Sequence, residues 1–195
     1  MRTITLNYCK KTAVIFVIGI AVFCASSAIA MTNNEIDATL SNYNEAGYKF
    51  VDKPADGMWK VLYSRPGWEF GWEVVVAATA PDPDQSLIVI GTTIVTVKKV
   101  PVELMLRLLD ENSYDTNPGA YSIFKEQDGT YSIQYAIKIP QSLVEETLIK
   151  EGIGFVAGYS NNRLKELEKL IPKEDMIGNE APVETGATTG ANTTK

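Results

Sequence analysis

The part of the sequence that most constrains the fold lies between residues 58 and 97, where three strand-like segments follow one another with only short turns between them. The segments run from Met58 to Ser64, from Trp68 to Thr79 and from Ser86 to Val97. They are rich in β-branched and aromatic residues, which suit a pleated sheet. The turns contain Pro66-Gly67 and Pro81-Asp82-Pro83-Asp84. Strands grouped in this way, with no helix between them, predict an antiparallel sheet rather than βαβ units.

A second strand pair follows a predicted helix. Pro101 opens this helix, and its buried stripe is predicted to consist of Leu104, Met105, Leu108 and Leu109. Residues 120–125 and 130–139 then form a hairpin that turns at Asp128-Gly129. The second arm alternates between apolar and polar residues. Its predicted inward set is Tyr131, Ile133, Tyr135, Ile137 and Ile139, and its outward set is Ser132, Gln134 and Lys138.

Capping boxes predict one more helix at each end of the folded region. Thr32 and Glu35 begin a helix over 33–45, and residues 48–51 form a short extended lead-in to the strands. Ser142 and Glu145 begin the last helix, which resumes a strong helical pattern over 162–171. Between these points the helix carries three weakening glycines, so it either breaks there or packs closely against the sheet. These glycines are Gly152, Gly154 and Gly158.

The element order is therefore helix, three strands, helix, two strands, helix. This order predicts an α+β fold in which helices pack on an antiparallel sheet. We expect one domain over residues 31–172. Residues 173–195 are rich in Gly, Ala and Thr and poor in large apolar residues, which predicts a disordered tail.

The first thirty residues have the three parts of a secretory signal peptide. Arg2, Lys10 and Lys11 are basic, residues 12–24 are apolar, and Ala28-Ile29-Ala30 matches a cleavage site. The apolar run is shorter than the roughly 20 residues that a spanning helix needs. We expect cleavage after Ala30 and a periplasmic or secreted location, with no stable membrane insertion afterwards.

Removing this segment changes the composition in a way that limits function. The chain carries 18 basic and 24 acidic residues, and the signal contains three of the basic ones, so the mature net charge is −9. This charge opposes binding to nucleic acid. Both cysteines, Cys9 and Cys24, lie in the signal, and the chain has no histidine. Thiol chemistry, His-based catalysis and His/Cys zinc sites are therefore excluded, which favours a non-catalytic protein without a cofactor.

Several segments resemble the YbjN-type proteins, whose fold is that of the type III secretion chaperones (the Tir-chaperone class). The segments are 72–76, 102–112, 120–124, Asp128-Gly129 and 140–142. The similarity extends over residues 32–171. It implies a non-enzymatic α+β domain that binds protein or regulates, and dimers are expected by analogy with the chaperones.

Five aromatic residues make the candidate partner-binding site. They lie within two neighbouring strands and are Trp59, Tyr63, Trp68, Phe70 and Trp72. Exposed aromatics bury a large area at low entropic cost when a partner binds. The alternative is that they face the helices and belong to the core.

Acidic residues suggest three weaker candidates. Asp82 and Asp84 have a spacing seen in calcium loops, but a solvated turn is favoured because further oxygen ligands are missing. Glu69 and Glu73 share one predicted strand face and are candidate hydrolase carboxylates, with an outward-facing strand as the favoured alternative. A third group, Asp110, Glu111 and Asp115, lies at a helix end, where either a cation or solvent would offset its charge.

These observations predict an exported, non-catalytic domain that binds another protein or itself, with a chaperone-like or regulatory role. The first alternative is a small-ligand pocket between the sheet and the glycine-containing last helix. The second is a carboxylate-based hydrolase. An exposed apolar patch, an apolar pocket, or convergent carboxylates with raised pKa would distinguish the three.

Overall fold

A computed structural model describes residues 31–43, 45–114 and 117–177, so the predicted signal peptide lies outside the described residues. The helices are α1 (Asn33–Asn42), α2 (Val102–Asn112) and α3 (Glu146–Glu168). The strands are β1 (Tyr48–Ala55), β2 (Met58–Tyr63), β3 (Trp72–Ala78), β4 (Leu87–Val97), β5 (Gly119–Lys125), β6 (Tyr131–Pro140) and β7 (Met176–Ile177). None of these helices is both long and apolar enough to cross a membrane.

The strands form one antiparallel sheet. Its order is β1-β2-β3-β4-β6-β5, and β7 pairs with the end of β4. The predicted α+β class is confirmed. Two strands were not predicted as such: β1 is a full strand rather than a short lead-in, and β7 lies in the predicted tail. The folded region therefore continues past Pro172 to Ile177, and the rest of the predicted tail lies outside the described residues.

The helices contact one face of the sheet. Strand register places Trp59, Val76, Ile90 and Ile137 on the same face in adjacent strands. On that face the Trp59 indole donates to Asp37 of α1, and Ile90 lies against α3. Burial of these apolar side chains, at about 25 cal/mol per Å² of apolar surface, is the main force that holds the layers together.

Helix α3 is continuous through its glycines, which decides between the two predicted alternatives. A Cβ at Gly152 would lie 2.6 Å from Ile90 Cδ1 and 3.3 Å from Ile137 Cδ1. The glycine therefore lets the helix backbone approach the sheet more closely than a side chain would allow. In contrast, the nearest atom to a Cβ at Gly158 would be 4.0 Å away, in the Trp68 ring.

Some local predictions were wrong, and tertiary contacts explain them. The strand predicted to begin at Trp68 begins instead at Trp72. Residues 64–71 form a connection, in which the Trp68 ring packs edge-on against the Tyr63 ring with 6.0 Å between the ring centroids. The capping box at Ser142 is absent, since Gln141–Leu143 forms a 3₁₀ turn and α3 begins at Glu146. The buried Gln141 side chain donates to the Met31 carbonyl at 2.7 Å, which holds this turn against the N-terminal segment.

Burial also corrects three side-chain predictions. Met105 and Leu109, predicted to be in the buried stripe of α2, are exposed, whereas Leu104 and Leu108 are buried as predicted. Ser132, predicted to face outward, is buried, and its hydroxyl donates to the Glu126 carboxylate. Helix α2 has apolar residues on two sides, and periodicity alone does not show which side packs in the core.

The close approach at Gly152 leads to a stability prediction. Gly152→Ala and Gly158→Ala gain the same helix propensity, but only the first crowds the core. We therefore expect Gly152→Ala to be less stable than Gly158→Ala by about 1–3 kcal/mol in the free energy of unfolding, measured by urea denaturation. Equal stability of the two variants would contradict the close-packing argument.

Candidate functional site

Helix α2 carries an exposed apolar stripe on the side that faces away from the sheet. Val102 is 65% exposed, Met105 40%, and Leu106 and Leu109 are each 59% exposed. Their spacing of i, i+3, i+4 and i+7 places them on one side of the helix. We call these four residues the docking stripe. Leu104 and Leu108 lie on the opposite side and are buried, so α2 is apolar on two sides.

One flank of the docking stripe is acidic. Successive residues of a helix are about 100° apart, so Glu103 and Asp110 project from the same side, next to the stripe. Neither forms an ion pair with any described residue. Asp110 accepts a hydrogen bond from the Tyr114 hydroxyl at 2.7 Å, and this bond raises the pKa of Tyr114. The flank therefore presents two carboxylates that form no ion pair with a described residue.

The edge of the sheet that is formed by β5 helps to position α2. At β5 the Asn112 side chain accepts from the Tyr121 backbone N–H at 2.7 Å and donates to its carbonyl at 3.0 Å. The amide thus satisfies both backbone groups of an edge residue, as a neighbouring strand would. This pair of bonds fixes the C-terminal end of α2 and protects that part of the edge from further pairing.

A buried charge network joins α2 to α3. Glu111 is 4% exposed, accepts from Arg107 Nε at 2.6 Å and pairs with the guanidinium of Arg163. The Tyr121 hydroxyl donates to Glu111 at 3.1 Å and lies 3.1 Å from the Tyr159 hydroxyl. Burial, together with the hydrogen bond that the Tyr121 hydroxyl donates to Tyr159, raises the pKa of Tyr121 well above its usual value. The network keeps Tyr121 protonated and fixes the relative position of the two helices.

This network settles one of the acidic candidates. Of the two explanations left open for this helix end, a cation rather than solvent applies to Glu111, because two arginines of the chain itself offset the charge of this buried carboxylate. Asp115 lies outside the described residues. The Arg107–Glu111 spacing of i, i+4 was a signal in the sequence for half of this cluster. Arg163 is 52 residues away along the chain, so its role was not accessible to that reasoning.

Two of the cavities that α3 lines adjoin each other along its exposed side. The larger has a volume of about 820 Å³ and extends between α3 and the residues that flank β1 and β2. Its lining includes Tyr43, Glu45, Tyr63, Arg65, Thr147, Lys150, Glu151, Gly154, Phe155, Gly158, Tyr159 and Asn162. The smaller, of about 390 Å³, adjoins the charge network and shares Phe155 and Tyr159 with the first. The larger cavity lies where the sequence suggested a pocket beside the glycines, but it is an open groove with mixed polar and apolar walls.

The five predicted aromatic site residues do not form an exposed patch. Trp59 and Trp72 are buried in the core, so the core interpretation is confirmed for these two. Tyr63, Trp68 and Phe70 are half-buried and pack against that core. Of the five, Tyr63 reaches the larger cavity, where its hydroxyl accepts from Arg65 Nε at 3.0 Å. An exposed apolar stripe lies instead on α2, where Met105 and Leu109 had been assigned to the core.

The remaining acidic candidates do not converge. Asp82 accepts from the Asp84 N–H at 3.1 Å and from the Gln85 side chain at 3.0 Å, which makes the segment a hydrogen-bonded turn. Glu73 pairs with Lys60 at 3.3 Å, and Glu69 lies before β3 begins rather than on its face. In the described ranges, no three residues of the types His, Cys, Asp and Glu are grouped so as to hold a metal ion.

No protein-family model matches the chain, and no curated protein matches it. The class to which the chain belongs is therefore defined by its fold, an α+β domain with an open antiparallel sheet.

The charge network leads to a second stability prediction. Glu111→Gln removes the buried carboxylate that pairs with two arginines and leaves their charge uncompensated. We therefore expect the free energy of unfolding to fall by about 2–4 kcal/mol. Glu166→Gln is the matched control, because Glu166 pairs with the same Arg163 from an exposed position and should contribute less than about 1 kcal/mol. Similar losses in the two variants, measured by urea denaturation, would contradict this account.

Proposed function

We propose that this chain is an exported, non-catalytic domain that binds another protein through the docking stripe. The observation that carries the proposal is the 59% exposure of both Leu106 and Leu109 on a helix whose opposite side is already packed in the core. Contiguous exposed apolar surface of this kind is typical of sites that bind another protein. A partner that covers them would remove this surface from water.

The partner that fits the docking stripe is a basic amphipathic helix. An apolar helix side is complemented by another in a helix-packing contact, with anchors at i, i+3, i+4 and i+7. Glu103 and Asp110 flank the stripe and form no ion pair with a described residue, so Lys or Arg residues beside the partner's apolar side would pair with them. The predicted net charge of −9 after signal cleavage also favours a cationic partner.

The same charges argue against a second copy of the chain as the occupant. In a two-fold antiparallel contact between stripes, Glu103 of one copy would approach Asp110 of the other. Like charges in an interface oppose association, and each copy also carries the same overall negative charge. The homodimer therefore becomes the competing outcome in the experiment below.

The resemblance to YbjN-type proteins and secretion chaperones supports a protein-binding role but does not name a partner. A fold alone is a weak basis for function, because one fold serves many functions. The absence of histidine from the whole sequence and of cysteine after residue 24 supports a non-catalytic role. The proposal therefore depends on the docking stripe rather than on the resemblance.

The stripe can be tested by site-specific photocrosslinking in the producing cells. A photoreactive residue at position 106 should give a discrete adduct with a protein that contains a basic amphipathic helix, and a synthetic peptide of that helix should bind the purified domain. Leu109→Asp should weaken the binding of this peptide by at least about tenfold, because the substitution places a charge in the apolar contact. The peptide with its Lys and Arg residues changed to Glu should not bind.

The control position is Leu143, which is 61% exposed and lies outside α2. A photoreactive residue there should give no adduct, and Leu143→Asp should leave peptide binding unchanged. An adduct of twice the chain's own mass would identify a homodimer and overturn the proposed partner. Equal adducts at positions 106 and 143 would overturn the docking stripe itself.

Export is part of the proposal and has its own measurement. Mass spectrometry of the protein from the envelope or culture medium should give a chain that begins at Met31, as expected for cleavage after Ala30. Ala28→Leu with Ala30→Leu should block cleavage, because the cleavage site requires small residues. A chain that keeps its first thirty residues in the wild type would contradict export with cleavage.

A further inference from the structure

We propose that the larger cavity beside α3 binds a small zwitterion with a flat apolar group, of which an aromatic α-amino acid is the simplest example. The cavity brings together a cationic side chain, carboxylates and aromatic rings within about 820 Å³. Such a volume is in the range of small-molecule sites. The inference concerns a different surface from the docking stripe and does not depend on it.

Arg65 supplies the site for the ligand's carboxylate. Its guanidinium lies over the rings of Tyr63 and Trp68, 5.6 and 5.9 Å from their centroids, and its Nε donates to the Tyr63 hydroxyl at 3.0 Å. These contacts orient the planar group but leave its charge without a carboxylate partner among the described residues. A held guanidinium presents parallel N–H groups, which match the two oxygens of a carboxylate.

Gly154 lies beside the Arg65 guanidinium. A Cβ on Gly154 would lie 3.4 Å from Arg65 Nη2 and 3.4 Å from the Tyr63 hydroxyl, which is van der Waals contact. The guanidinium therefore rests against the surface of α3 at a residue where a side chain larger than a methyl group would compete with it for space. At the second glycine of the cavity, Gly158, the nearest atom to a Cβ would be 4.0 Å away, in the Trp68 ring, so the missing side chain leaves the groove unfilled.

Two carboxylates supply the site for the ligand's ammonium group. Glu45 and Glu151 line the same cavity, and neither forms an ion pair with a described residue. Lys150, which also lines it, is already paired with Glu146 and lies over the Tyr43 ring at 4.2 Å. The unpaired charges of the cavity are thus one guanidinium and two carboxylates, so a simple anion would meet repulsion where a zwitterion would not.

Aromatic side chains supply the apolar wall. Phe155 is 41% exposed, stacks on Tyr159 with 6.0 Å between ring centroids, and belongs to this cavity. The Tyr159 ring in turn stacks on Tyr135 at 4.2 Å, which fixes it to the sheet. A flat ligand group can therefore pack on a rigid aromatic surface in offset or edge-on geometry.

Three related compounds test the proposal by calorimetry on the purified protein. L-phenylalanine has both charges, 3-phenylpropanoate lacks the ammonium group, and phenethylamine lacks the carboxylate. We expect saturable binding of L-phenylalanine and at least about tenfold weaker binding of the other two, since each loses one charge-assisted interaction. No binding of L-phenylalanine, or equal binding of L-phenylalanine and 3-phenylpropanoate, would overturn the proposal.

Charge variants then assign each group. Arg65→Gln should weaken the binding of L-phenylalanine and 3-phenylpropanoate by about tenfold and leave the binding of phenethylamine unchanged. Glu45→Gln combined with Glu151→Gln should weaken the binding of L-phenylalanine and phenethylamine but not that of 3-phenylpropanoate. Lys138→Gln is the control, because Lys138 is exposed on β6 outside the cavity and its loss changes the net charge as Arg65→Gln does. Equal effects of Arg65→Gln and Lys138→Gln would place binding elsewhere.

Discussion

The contact between α3 and the centre of the sheet is the constraint on which the rest of the structure depends. At Gly152 the helix has no side chain, so its backbone lies directly over Ile90 of β4 and Ile137 of β6. This contact fixes the height of α3 above the sheet. The residues that follow along the helix then lie at defined positions: Gly154 beside Arg65, and Tyr159 on the ring of Tyr135. Both the larger cavity and the charge network are built around the residues at these positions.

The charge network fixes the position of α2 relative to α3. Arg163 of α3 and Arg107 of α2 both pair with Glu111, and the hydroxyl of Tyr121 in β5 donates a hydrogen bond to the same carboxylate. A buried ion pair contributes little net stability, but it penalises any arrangement in which one partner is left alone. Its effect here is therefore geometrical: it selects which side of α2 faces the core. The docking stripe is exposed as a consequence.

The fold class was predictable because each of its signals is local. Turn residues between β-branched segments indicate antiparallel strands, and the alternation of Ile133, Tyr135 and Ile137 correctly placed them in the core. The strand β7 was missed because two residues paired to the end of β4 leave no periodic pattern. The α2 residues Met105 and Leu109 were misplaced because the helix has two apolar sides. Only contacts with Arg163 and β5, both distant along the chain, distinguish those sides.

The sequence by itself determined the α+β class, the acidic character and the lack of histidine and, after residue 24, of cysteine, since these depend on composition and on short patterns. Only the tertiary structure decided which apolar surface is left exposed and which charges are left without partners. The physical reason is that burial and ion pairing depend on distances between residues far apart in the chain. Arg65 meets Gly154, and Glu111 meets Arg163, only when α3 lies on the sheet.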